Sequence, residues 1–124
     1  MKRTLKMVIS YDGTRFAGWQ RQKNRRTVQG TVEQALRQVT GKPCRVIGAG
    51  RTDSGVHAEG QVAQVTLDSR LPRVTLQKAL NAVLPEDILM RSLEEASAGF
   101  HARYDASQKL YRYAIWNNPL RPLL

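Results

Sequence analysis

Two stretches of this chain carry apolar residues at helical spacing, and each stands alone between runs that read as strands. Val28, Val32, Ala35, Leu36 and Val39 make the first stripe; Val74, Leu76, Ala79, Leu80, Val83 and Leu84 make the second. Thr27 suits the N-cap of the first helix, and Gly41 followed by Pro43 ends it. Pro85 closes the second. β-Branched and aromatic residues fill residues 5–11, 44–49, 56–67, 88–93 and 109–116, which read as strands. In the third of these, Ala63, Val65 and Leu67 alternate onto one face. Asp12, Gly13 and Thr14 read as a turn, and residues 15–26 as a polar loop without period.

The order is β-α-β-β-α-β with one further strand. It predicts an α+β fold on the ferredoxin-like, split β-α-β plan: an antiparallel sheet covered on one face by two helices, plus an added C-terminal strand. The chain supplies nothing to cover the other face, which suits an RNA platform, a dimer contact or a two-domain interface. A length of 124 residues supports one core, placed here in residues 1–116, with 117–124 reading as a linker.

Charge narrows the partner. Lysine and arginine number 20 against 10 acidic residues, a formal net charge of +10. No acidic residue lies between Asp12 and Glu33, so Arg15, Arg21, Lys23, Arg25 and Arg26 have no local neutraliser. A polyanion, nucleic acid first, fits that segment; a solvated loop is the bland alternative. No stretch approaches the ~20 apolar residues of a membrane span, and the N-terminus has no signal-peptide core. Cys44 is the lone cysteine, which excludes an internal disulfide and reads as a small buried hydrophobe. His57 and His101 are too far apart to suggest a metal centre. The chain reads as a soluble cytoplasmic protein without a metal.

The stretch that carries chemistry runs from Gly48 to Ala58. Glycines bracket Arg51 and Asp53, so the loop exposes its middle residues. A carboxylate repels phosphate and is poorly explained by binding alone; as a nucleophile or general base it makes sense, with Arg51 nearby to keep it ionised. An Asx-turn with a local ion pair suits the same residues.

Gly50-Arg51-Thr52-Asp53-Ser54-Gly55-Val56-His57-Ala58 resembles the signature of the tRNA pseudouridine synthase A family. Tyr11-Asp12-Gly13-Thr14 with Phe16, Gly18, Trp19 and Gln20 resembles the family's first loop, and Gly60-Gln61-Val62-Ala63 fits after the signature. Phe100-His101-Ala102-Arg103 and Lys109-Leu110-Tyr111-Arg112-Tyr113 resemble its later motifs. The resemblance implies an N-terminal catalytic half whose second half, of similar size, is absent from this chain. It implies an isomerase that converts uridine to pseudouridine at positions 38 to 40 of the tRNA anticodon stem-loop, without cofactor or metal and as a homodimer. Asp53 would assist glycosidic cleavage, Arg51 would pair with it and hold the flipped-out state, and Tyr111 would stack on uracil and take the C5 proton.

Each residue also has a plainer reading. Arg51 suits a phosphate anchor, and Tyr111 and Tyr113 share a strand face that suits the core. His57 and His101 fit satisfied polar residues better than bases. Phe16 and Trp19 fit RNA stacking or the core equally. Arg103 and Lys109 fit contacts to the tRNA backbone or sheet-face ion pairs. The competing functions are a non-catalytic basic RNA-binding module of the same fold and, more weakly, an acylphosphatase-like hydrolase whose arginine–asparagine phosphate site is not found here.

Overall fold

A computed structural model describes residues 2–96. Its elements are β1 (Lys2–Tyr11), a 3-10 turn (Gly13–Arg15), α1 (Val28–Thr40), β2 (Val46–Gly48), β3 (Ala58–Asp68), α2 (Arg73–Val83) and β4 (Ile88–Glu95). The strands form one sheet in the order β2-β3-β1-β4, every neighbouring pair antiparallel. This is the expected split β-α-β arrangement, since each helix carries the chain across one intervening strand. The added strand at 109–116 and the boundary at 116/117 lie outside the described residues.

Local chemistry sets the helix ends. The Thr27 side chain accepts from the Gly30 amide (3.2 Å), and Gly41 closes α1 in the left-handed region at φ +78°. In β1, Leu5, Met7 and Ile9 are fully buried on the helix side, and Met7 faces Ala63 across the pair. Leu36 from α1 and Leu76 and Leu80 from α2 complete that core. Out of phase with it, Val8 packs with Ala49 and Val62 in a small cluster on the other side.

The helical stripe of α2 is narrower than its sequence suggests. Val74 is 55% exposed, because it lies two residues, roughly 200° of helix rotation, before buried Leu76. β2 is also shorter than 44–49, since only Val46–Gly48 form a strand, paired with β3. On its outer edge Val46 donates its amide to Glu33 Oε2 (2.9 Å) and its carbonyl accepts from Gln29 Nε2 (2.7 Å), so two side chains one turn apart on α1 bond the outward groups of Val46. Glu33 and Gln29 are themselves buried. Cys44, expected to be buried, is half-buried, and its thiol is pushed up to about 11, by burial first and then by the Glu33 charge. No helix among the described residues is long and apolar enough to cross a membrane.

Candidate active site

The Asp53 loop leaves β2 at Gly48 and enters β3 at Ala58. Val56 and His57, expected in the strand, are spent on the loop instead. The loop lies against residues 12–20, and contacts on both flanks lock the two together. On the N-terminal flank, Thr52 turns inward: it is buried, its hydroxyl lies 2.7 Å from the Tyr11 hydroxyl, and its carbonyl accepts from the Trp19 amide at 3.0 Å. Gln61 Nε2 donates to the Gly50 carbonyl. On the C-terminal flank, the Gly55 amide and the Ser54 hydroxyl both donate to the Phe16 carbonyl, at 3.2 and 3.3 Å.

Two glycines make this interlock possible. Gly18 has φ +95°, and a Cβ there would stand 2.6 Å from the Thr52 carbonyl oxygen. A Cβ at Gly13 would stand 1.9 Å from the Val56 carbonyl oxygen. Only backbone without a side chain passes so close to another backbone.

Asp53 therefore projects from a braced segment. Thr52 is buried and Asp53 is exposed, and the Asp53 carbonyl closes the turn by accepting from the Val56 amide (3.1 Å). A carboxylate facing solvent meets the first requirement of a group that attacks a substrate. Arg51 is exposed as well. Among the described residues no ion pair joins it to Asp53, in keeping with the small worth of a solvated pair.

His57, which by sequence suits a satisfied polar residue, ends this loop. Its Nδ1 lies 2.9 Å from the Gly13 amide, which donates to it, and 3.1 Å from Asp12 Oδ1. The same Asp12 oxygen accepts from the Thr14 amide (3.0 Å) and hydroxyl (2.6 Å). Burial of Asp12 opposes its charge, but the bonds from the Thr14 amide and hydroxyl, with His57 and Arg15 close by, outweigh burial and hold the carboxyl below its ordinary value.

Phe16 and Trp19 belong to the core. Both are only 2% exposed, and Trp19 lies against Tyr11 with ring centroids 6.3 Å apart. The basic loop is less bare than its sequence suggests. Arg21 pairs with Glu33 at 2.9 Å. Arg26 makes a two-pronged contact to Asp87, at 3.0 and 3.2 Å, and its guanidinium lies 4.0 Å above the Phe16 ring. Both carboxylates arrive from other elements, which a local count of charges does not register. Arg15, Lys23 and Arg25 are exposed, and no ion pair to them occurs among the described residues. Tyr111, Arg103, Lys109 and His101 lie outside the described residues. Among those described, no group of three or more His, Cys, Asp or Glu residues could hold a metal ion.

Sequence reading missed Gln29 and Glu33 as organisers of the basic loop: besides binding Val46, Gln29 Oε1 accepts from the Arg21 amide at 2.8 Å. The available signal was two polar residues four apart, each directly after an apolar stripe position, Val28 and Val32. No comparable signal marked the Tyr11–Thr52 or Asp12–His57 contacts.

The described residues thus form an open antiparallel α+β sheet, with a braced, solvent-facing carboxylate on one loop and a basic loop packed against it. The model of the tRNA pseudouridine synthase family matches residues 7–105, and the chain belongs to that family. It is similar to the tRNA pseudouridine synthase A of Caldicellulosiruptor saccharolyticus, 46% identical over 98% of this chain and 50% of the relative. To that of Acetivibrio thermocellus it is 49% identical over 94% of this chain and 48% of the relative. To that of Brevibacillus brevis it is 50% identical over 97% and 49%. The chain thus spans about half the length of the curated relatives it matches.

Proposed function

We propose that this chain carries the catalytic aspartate of a tRNA pseudouridine synthase acting on uridines of the anticodon stem-loop, with Asp53 as the reacting carboxylate. The observation that carries the reading is the placement of Asp53: exposed, on a backbone braced from both flanks, in a chain of net charge +10. In the reaction the C1′–N1 bond of uridine breaks, the uracil turns over and C5 joins C1′. The C5 hydrogen is then lost and N1 gains a proton, so substrate and product are isomers. Asp53 assists the cleavage by attack on the nucleoside or by removing a ribose proton. The target base must leave its stack to reach it. Arg51 holds the everted nucleotide, and Tyr111 stacks on uracil and takes the C5 proton.

Arg15, Lys23 and Arg25 meet the tRNA backbone, joined by Arg103 and Lys109; Arg21 and Arg26 reach it only from their ion pairs. The enzyme works as a cytoplasmic homodimer, and a sedimentation measurement of the complete protein with and without tRNA tests that assembly.

The decisive experiment is Asp53→Asn in the complete protein, read by tritium release from C5-labelled uridine in tRNA and by tRNA binding. Release should cease while binding persists. Undiminished release removes Asp53 from the chemistry. Binding lost together with release makes Asp53 part of the binding surface.

A further inference from the structure

His57 enters the interlock by a bond that depends on its charge state. A nitrogen that accepts from an amide carries no proton, so the Gly13 N–H···Nδ1 bond of 2.9 Å requires an imidazole unprotonated at Nδ1. The Asp12 carboxylate, 3.1 Å from the same atom, favours the opposite state, in which Nδ1–H donates to Oδ1. One nitrogen cannot do both. Protonation exchanges the bond to the Gly13 amide for one to Asp12 and sets Nδ1–H against the Gly13 N–H.

The exchange falls where there is least slack. The backbone of Gly13 already touches the Val56 carbonyl, immediately before His57. Val56 in turn closes the turn on the Asp53 carbonyl at 3.1 Å. A shift of His57 against residues 12–13 is therefore passed to Asp53 across three residues of tight loop. Thr52, bonded to Tyr11, holds the other flank through hydroxyl groups.

We propose that His57 is a positioning residue that seats the Asp53 loop on the Asp12–Gly13 turn only while its Nδ1 is unprotonated. This rests on the reading of Asp53 as the reacting carboxylate. The charged groups near the pair come from every side of the junction. Asp12 follows β1, Arg15 ends the 3-10 turn, Arg26 comes from the basic loop, and Glu86 and Asp87 precede β4. With Thr14 and Pro85 they line one hollow of about 380 Å³. Asp53 and Glu59 flank His57 on its own segment.

The test measures kcat and KM for tRNA against pH in the complete protein. His57→Ala should lower kcat about ten- to a hundredfold with KM little changed, as expected when a reacting group is displaced by a fraction of its reach. His57→Asn should recover most of that loss, because its Oδ1 takes the place of Nδ1 as acceptor for the Gly13 amide. It cannot titrate, so the acid-side fall in kcat seen with histidine should flatten. Asp12→Asn keeps an acceptor for the Thr14 amide and removes the pull on the Nδ1 proton, so the acid-side fall should move to lower pH. Unchanged kcat in His57→Ala overturns the proposal. So does His57→Asn as poor as the alanine variant, or acid limbs that fall in parallel in the wild type and His57→Asn. If His57→Ala does not fold, the asparagine variants at 57 and 12 carry the test alone. An active Asp53→Asn protein overturns the reading of Asp53 instead, so the two failures are distinguishable.

Discussion

The hydroxyls of Tyr11 and Thr52, 41 residues apart in the chain, meet at 2.7 Å inside the core. Tyr11 is the last residue of β1, and Thr52 directly precedes the exposed Asp53. The bond ties the most buried part of the sheet to the carboxylate that leaves it. Removing either hydroxyl takes this buried hydrogen bond from the other. Tyr11→Phe or Thr52→Val should each cost about 1–3 kcal/mol in urea unfolding. The double variant should cost less than the sum. Strict additivity is the result that contradicts a direct bond.

Gly18 and Gly41 both have positive φ, but their surroundings differ. A Cβ at Gly18 meets the Thr52 carbonyl at 2.6 Å, whereas one at Gly41 meets nothing within 4 Å. Gly41→Ala should therefore cost about 1–2 kcal/mol, the strain of the left-handed backbone alone, with turnover unchanged. Gly18→Ala should cost more and should also lower kcat, because the clash falls on the backbone beside Asp53. Thermal unfolding and tritium release from the same preparations separate the two effects. Equal loss of turnover in both variants would contradict the interlock.

Among the described residues the basic loop divides into cations with an ion pair, Arg21 and Arg26, and cations without one, such as Lys23 and Arg25. Replacing Lys23 and Arg25 by alanine should leave stability within about 0.5 kcal/mol, as for surface substitutions generally. The same change should reduce the salt slope of tRNA binding by about 1.5–2, as expected for the loss of two phosphate contacts. Arg26→Ala should behave differently, lowering the midpoint of unfolding because Asp87 and the Phe16 ring lose their partner. Filter binding across a salt series, beside thermal unfolding, checks both halves. A salt slope that ignores Lys23 and Arg25 removes them from the interface.

Cys44 sets a pH dependence of known sign. Its thiol is raised from 9.0 to about 11 in the fold, so the protonated form is favoured by folding. That contribution is complete below pH 9 and is lost as pH climbs through 11. The folded thiolate fraction near pH 8 should be about a hundredfold below that of the unfolded chain. Iodoacetamide should therefore label native Cys44 slowly at pH 8 and rapidly once urea unfolds the protein. Glu33→Gln should speed native labelling modestly by removing the second cause of the shift. Equal native and unfolded rates would contradict the raised value.

Much of the fold was legible locally. The stripe from Val28 to Val39, the Thr27 cap and the Gly41 stop are signals within one helix, and α1 runs from Val28 to Thr40 as they predict. Where reading failed, the competing cause was distant. Val74 fits a helical stripe by residue type, but the sheet meets α2 on the side of Leu76 and Leu80. Val56 and His57 look like strand, but close backbone contact with Gly13 takes them into the loop. Phe16 and Trp19 suited two environments equally, and their burial decided between them.

By itself the sequence determined the order of the described elements, the family and the presence of an acid at position 53. All of these depend on residue type and on neighbours within a turn or a strand. Tertiary structure alone decided which arginines are already paired, which aromatic rings are core and which side chains brace the acid. Those contacts join residues 12 to 61 positions apart, such as Arg21 with Glu33, Gly13 with His57 and Arg26 with Asp87. Periodicity reports only what recurs along the chain; a contact closed by folding leaves no period behind.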